Sequence, residues 1–260
     1  MGMRTNEGEA ETPFAATLER GLNILASYRP EDIWLTNLEI ATRTGIPKSS
    51  VSRLTSTLVG LGYLSRDQKG RYRVGSRVLA VAYPLLARFR IRQIARPFMR
   101  EFAENAGGTV SIGLANGTDA VLLEVARSAN SVTTPYVSEI GFSISLCRTA
   151  IGRAIMSLMT EAELEDVYVQ TSRIDEQSAT IRLEVEQSIH ECREKGYCVL
   201  STWRPETLAT GAPLLRTPEG DCLGLVCAVP AFRSTEKDMA DEIGPRLVSL
   251  AQTIKSMAGT

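Results

Sequence analysis

Between residues 36 and 74 two hydrophobic periods follow one another, helical and then alternating, and this order restricts the segment to a small helical pair closed by a hairpin. Thr36 precedes a short run, residues 37–44, with Leu38, Ile40 and Ala41 inward, and Gly45 suits a left-handed helix end. Pro47 opens the next helix, residues 48–59, whose apolar stripe is Val51, Leu54 and Leu58 and which Gly60 and Gly62 end. Ala41 is small where the helices cross, Gly45 takes the turn, and Ile40, Ile46, Val51 and Leu54 fill the space between, which is the spacing of a helix-turn-helix. Residues 63–66 and 71–74 then alternate with period two around Asp67-Gln68-Lys69-Gly70, predicting a hairpin that forms a wing.

The outward positions of the second helix are Lys48, Ser49, Ser50, Ser52, Arg53 and Ser56. Small hydroxyls and cations let a helix approach a groove closely, so these residues are expected to meet base edges, with Arg71 and Arg73 of the wing along phosphates or in the minor groove and Thr36 also at the DNA interface. Charge supports the reading. The net charge of −1 hides a segregation: residues 1–95 hold fourteen Lys and Arg against eight Asp and Glu, and the remainder holds fifteen against twenty-two. From residue 40 to residue 92 eleven basic residues face one acid, Asp67, a candidate polyanion footprint; a merely solvated surface is the alternative.

Around this motif, residues 14–28 read as a helix with Phe14, Leu18, Leu22 and Leu25 at helical spacing, Thr12 as cap and Pro13 in the first turn. Residues 77–95 read as a connector helix that Pro84 bends and whose apolar residues suit another subunit. Helices are expected at 96–106, 149–159, 161–169, 181–195 and 237–257. Strands are expected at 109–115, 120–126, 132–137, 144–147, 197–200, 207–215 and 222–229. The fold class is therefore α+β in two domains: an acidic tail (1–12) read as disordered, a winged helix-turn-helix (13–76), a connector helix (77–95), and a sensor-sized α+β domain (96–260), which the resemblance given next implies is for effector binding and oligomerisation. No apolar run approaches the length of a membrane span and the first residues are acidic, so the chain is expected in the cytoplasm with no membrane partner.

The whole chain resembles the IclR family of bacterial transcriptional regulators. The resemblance is carried by Thr17-Leu18-Glu19-Arg20-Gly21-Leu22-Asn23-Ile24-Leu25, by residues 45–54, and by Leu61-Gly62-Tyr63-Leu64 with Tyr72-Arg73-Val74-Gly75. Residues 147–154, Gly196-Tyr197 and Ala212-Pro213 complete it. It implies a winged helix-turn-helix that dimerises, a linker helix, and a C-terminal GAF-like α/β domain that binds a small effector. Partners implied are double-stranded promoter DNA, a small molecule, a second copy in a homodimer or dimer of dimers, and RNA polymerase; no cofactor and no metal are expected. By position, the family pocket would be lined here by Tyr136, Ile144, Ala150, Ile151, Leu200, Leu208, Ala209, Val226 and Ala228, with Arg148 or Trp203 supplying a polar contact. The sequence departs from the family pattern where acidic residues after Gly196-Tyr197 are replaced by Val199-Leu200-Ser201 and where Ala209 stands before the Ala-Pro pair. The implied effector is an aromatic or apolar organic acid, the implied role repression of a catabolic operon, and ordinary core packing is the alternative for each lining residue.

Two other classes compete. An enzyme would need a nucleophile and base, but Cys147 and the one histidine, His190, lie far apart in sequence, the five cysteines form no CxxC pair, and no phosphate loop or GxSxG occurs. A sensor acting through protein contacts alone would have no use for the basic reading helix and wing.

Overall fold

The computed structural model describes residues 14–129, 139–174, 178–201 and 206–259. They form two compact units that part between Arg88 and Phe89. The first contains α1 (Ala16–Ala26), α2 (Asn37–Thr44), α3 (Lys48–Gly60), β1 (Leu64–Arg66), β2 (Tyr72–Val74) and α4 (Arg77–Arg88). Helix α2 starts at Thr36 because that residue closes a capping box: its Oγ1 accepts from Glu39 N at 3.2 Å, and the Glu39 carboxylate accepts from Thr36 N at 2.7 Å. It ends at Gly45, whose φ of 69° suits a residue without Cβ. The three helices and the hairpin close over Ile24, Leu35, Ile40, Ile46, Val51, Leu64 and Tyr72. Leu35 and Tyr72 exchange backbone hydrogen bonds of 2.8 and 2.7 Å, an isolated bridge that ties the residue before Thr36 to β2 of the two-stranded wing.

Several residues depart from the expected pattern. Leu38 is 54% exposed, since two residues before Ile40 place it some 200° around the helix from the core. Thr55 is fully buried and satisfies its hydroxyl by donating to Val51 O at 2.8 Å. On α1 the core takes Gly21 and Ile24, while Leu18 and Leu22 face solvent together with Phe14 just before the helix. Helix α4 buries no residue and exposes Leu79, Val81, Tyr83 and Leu85. The expected helix 77–95 ends at Arg88, with Pro84 inside it, and a new helix starts at Ile91. The caps read at Thr12 and Pro13, the tail 1–12 and the strand 132–137 lie outside the described residues.

The second unit contains α5 (Ile91–Ala106), β3 (Thr109–Asn116), β4 (Asp119–Arg127), β5 (Ser143–Ser145), α6 (Ala150–Met156), α7 (Glu161–Ser172) and α8 (Ser178–Lys195). It continues with β6 (Cys198–Ser201), β7 (Thr207–Arg216), β8 (Cys222–Pro230), α9 (Glu236–Asp238), a π-helical turn (Met239–Ile243) and α10 (Gly244–Ala258). The strands form one antiparallel sheet in the order β5-β4-β3-β8-β7-β6. Helices α5 and α10 cover one face, and α6 lies on the other, with α8 against α6 and α7 against α8. The helix expected over 237–257 is interrupted because Pro245 offers no N–H to continue the ladder, and the π turn absorbs the mismatch.

Helix α6 sits unusually close to the sheet. A Cβ on Gly211 would lie 2.1 Å from Ala150 O, and one on Gly224 would lie 2.7 Å from Ile155 Cγ1. Neither distance admits a side chain. On the opposite face a bulge at Ile112/Gly113 turns Glu124 toward α5, where Arg92 meets it at 3.2 Å and Arg96 at 3.0 Å. Arg92, counted from sequence in the polyanion footprint, is thus a buried partner of a carboxylate.

Candidate nucleic-acid interface and candidate ligand face

Helix α3 presents Lys48, Ser49, Ser52, Arg53 and Ser56 to solvent, with Ser50 half-buried beside them. The spacings 48, 52, 56 and 49, 53 place them on neighbouring rows of one helix face. Among the described residues neither Lys48 nor Arg53 is ion-paired. Thr36 differs: its hydroxyl donates to the Glu39 carboxylate at 2.7 Å, so it serves first as a helix cap. Arg71 also differs, because its Nε and Nη2 each lie 2.8 Å from Asp67 Oδ2 across the wing turn. Arg73 makes no such pair among the described residues; its guanidinium lies 4.9 Å from the Trp34 ring centroid, with that of Arg71 at 5.7 Å from the same ring. Trp34 thereby props both arginines, a role not legible in the sequence because it depends on the Leu35–Tyr72 bridge. Arg43 is likewise paired, and its guanidinium holds the Asp32 carboxyl below the usual range.

The candidate ligand face is the α6 side of the sheet. In antiparallel pairing, directly opposed residues share a face and neighbours along a strand alternate. Leu200, Ala209, Ala228, Thr109 and Arg127 are opposed in turn across β6, β7, β8, β3 and β4. The adjacent row is Cys198, Gly211, Val226, Ser111 and Val125. Ala150, Ile151, Ala209 and Val226 belong to one buried cluster, against which Ile144, Leu200 and Ala228 pack. These seven of the expected lining residues are brought together. Leu208 is not: it neighbours Ala209 in β7 and pairs with Val229, so strand alternation turns it to the other face. Arg148 is exposed, and Tyr136 and Trp203 lie outside the described residues.

Three residues on this face were not read from sequence: Arg127, Thr109 and Ser111. Arg127 Nη1 donates to Glu139 Oε1 at 3.1 Å. Ser111 is 4% exposed, and its hydroxyl and that of Thr109 make no hydrogen bond among the described residues. Their signal is plain alternation in β3 and β4, but it acquires meaning only once β3 is known to pair with β8.

A separate cleft of about 250 Å³ opens between α7 and α8 over Cys147 and Thr171, and it includes none of the expected lining residues. One wall is Tyr168, whose buried hydroxyl has no hydrogen-bond partner among the described residues and whose pKa burial pushes up to about 12. Cys147 is buried with Sγ 3.7 Å from Thr171 Oγ1, while His190 is exposed on α8, so thiol and imidazole are placed in different environments. Cys192 and Cys198 pack together with Ala154, and the Cys198 thiol, with burial, pushes the Cys192 pKa up.

Comparison with known proteins agrees with this architecture. Residues 84–256 match the family model for the bacterial transcriptional regulator IclR C-terminal domain, and residues 17–68 match the IclR helix-turn-helix domain. The chain is 29% identical over 252 residues to the HTH-type transcriptional regulator TsaQ1/TsaQ2 of Comamonas testosteroni, covering 95% of this chain and 90% of that one. The crystal structure of an IclR family regulator from Brucella abortus superposes with a TM-score of 0.79 at 31% identity, covering 94% of this chain and 92% of the other. An IclR homolog from Microbacterium hydrocarbonoxydans, solved in complex with 4-hydroxybenzoate, has the same fold at a TM-score of 0.72 and 17% identity, covering 93% of this chain and 98% of that one. A helix-turn-helix for DNA followed by a domain for a small effector is what these units are built for, and the chain belongs to the IclR family of bacterial transcriptional regulators.

Proposed function

We propose that this regulator works in the cytoplasm as a dimer, or a dimer of dimers, that sets α3 of two copies into successive major grooves of a partly palindromic promoter site. In this reading it represses a catabolic operon until an aromatic or otherwise apolar organic acid binds the α6 side of the sheet. Lys48, Ser49, Ser50, Ser52, Arg53 and Ser56 read base edges, and Arg73, then Arg71 and the Thr36 segment, lie along phosphates. The observation that carries the reading is the pairing of an exposed α3 face of hydroxyls and unpaired cations with a second unit whose sheet face is apolar and covered by a short helix.

Self-association has its own support. The first unit leaves Phe14, Leu18 and Leu22 on or beside α1, and Leu79, Val81, Tyr83 and Leu85 on α4, facing water. Leucines and aromatics at helical spacing in that number suit a second copy. The 4-hydroxybenzoate found in a protein of the same fold supports an aromatic acid as effector. Ligand binding acts by favouring one of two states of the dimer, which alters DNA affinity or contact with RNA polymerase.

The test is recovery of genomic fragments by the purified chain at about 150 mM salt, where non-specific phosphate binding is weakened. One or a few partly palindromic promoter sites are expected. Arg53→Ala should relax base preference at those sites at a loss of about 1 to 3 kcal/mol. Recovery of DNA without preference, with and without a panel of aromatic acids, overturns the proposal.

A further inference from the structure

The cleft between α7 and α8 belongs neither to the DNA-facing helix nor to the sheet face. Its floor is Cys147 and Thr171, both buried. Val169, Ile181 and Tyr168 wall it, and the charged side chains of Glu165 and Arg182 stand at its rim. Tyr168 is only 9% exposed, and its hydroxyl makes no hydrogen bond among the described residues, which is unfavourable for a buried donor unless something completes it. The Cys147 thiol on the floor and the Arg182 guanidinium at the rim both act on that hydroxyl, which places it between them. Arg182 lies over the Tyr168 ring, 4.4 Å from its centroid, and is held there by Glu165 of α7 at 3.0 Å and Glu186 of α8 at 2.9 Å. Both carboxylates are about half exposed, so these pairs exchange with water at little cost and the guanidinium can tilt off the ring.

We infer that this cleft is a second small-molecule site, separate from the sheet face, and that it takes an uncharged ligand about one ring in size whose carbonyl oxygen accepts from the Tyr168 hydroxyl. Size sets the first limit. The cleft holds about 250 Å³, and a cavity of about 150 Å³ already takes benzene, so a ring with a short substituent fits and a drug-sized molecule does not. Charge sets the second. Two carboxylates face one guanidinium at the rim, so the entrance is net acidic and disfavours a carboxylate. Burial keeps the Tyr168 phenol protonated, and it therefore serves as a donor. The inference does not rest on the acid effector proposed for the sheet: the two sites share no lining residue and differ in the charge they accept.

The test is calorimetric titration of the full chain with acetophenone and benzamide, and with benzoate as the charged counterpart. Wild type should bind at least one of the two neutral probes at about 1 mM or below. Tyr168→Phe keeps the ring and removes the donor, and should weaken that binding about 3- to 10-fold. Val169→Trp keeps the donor and fills the cleft, and should abolish it. Leu200→Asp, on the sheet face, should leave it intact, and benzoate should respond to neither cleft variant. The thermal midpoint of Tyr168→Phe should equal or exceed that of wild type, because only an unsatisfied hydroxyl is lost. Absence of saturable binding of both neutral probes up to about 10 mM, binding that survives either cleft variant, or binding lost in Leu200→Asp overturns the site. A benzoate affinity that falls with the cleft variants overturns its preference for uncharged ligands. If the acid effector fails at the sheet, these outcomes keep their meaning.

Discussion

The α3 face of the first unit and the α6 side of the sheet in the second are made of similar materials. Each combines small residues that allow close approach with hydroxyls and a guanidinium: Ser49, Ser52 and Arg53 on the helix, Ser111, Thr109 and Arg127 on the sheet. They differ in how far along the chain those materials are gathered. The helix face is written in nine consecutive positions, while the sheet face draws on five strands from Thr109 to Ala228. The first follows from the helical period alone; the second exists only through long-range pairing. The helix face is convex and wet, suited to a salt-sensitive polyanion, and the sheet face is sheltered by α6, suited to a small ligand desolvated on binding.

The sharpest way to break this contrast is to disturb the sheltering helix. Gly211→Ala places a Cβ against Ala150 O, and we expect a loss of more than about 3 kcal/mol of stability in the C-terminal unit, read as a lower denaturant midpoint. An unchanged midpoint would mean that α6 is not seated as described. Leu200→Asp sets a charge at the apolar end of the ligand row and should weaken effector binding at least tenfold with promoter affinity unaltered. An unaltered dose response would remove Leu200 from the site.

The wing offers a finer distinction. Because Arg71 is already paired with Asp67, Arg73→Ala should weaken binding to all DNA sequences and lower the salt slope by about one, and Arg71→Ala should do less. Equal effects would show that the Asp67 pair opens on DNA. The smallest effect is in acid. Arg216, aided by the Thr160 cap, holds the Glu163 carboxyl down at about 2, so the stability it contributes is complete above the ordinary value near 4.5 and disappears as pH falls toward 2. Glu163→Gln should flatten the acid limb of the stability curve in that window, and an identical limb in both proteins would show that the pair contributes nothing.

Where local chemistry decides, the sequence was legible almost residue by residue. The limits of α2 follow from Thr36 and Gly45, and the wing turn from Asp67 to Gly70. Burial by a partner element was less legible: Leu38 and Leu18 have core-like spacing and are exposed, while Thr55 looks like surface and is buried. On the candidate ligand face the resemblance names apolar residues that the structure gathers on one side of the sheet, while Arg127, Thr109 and Ser111 share that side only through strand pairing; it also included Leu208, which alternation with Ala209 turns to the other side. Charge was the most misleading guide. Arg43, Arg71 and Arg92 swell the basic count, yet each pairs with a carboxylate: Asp32 and Glu124 lie outside the basic segment, and Asp67, its single acid, takes Arg71.

The close approach of α6 to Gly211 and Gly224 also limits how a regulator of this build changes its ligand over evolutionary time. Beneath the helix no side chain can be introduced without displacing it, so that part of the surface offers no variation for selection to act on. On the proposed effector reading, new recognition has to be written at the margins, at positions such as 200 and 228, where exchanges alter what is greeted without moving what does the greeting.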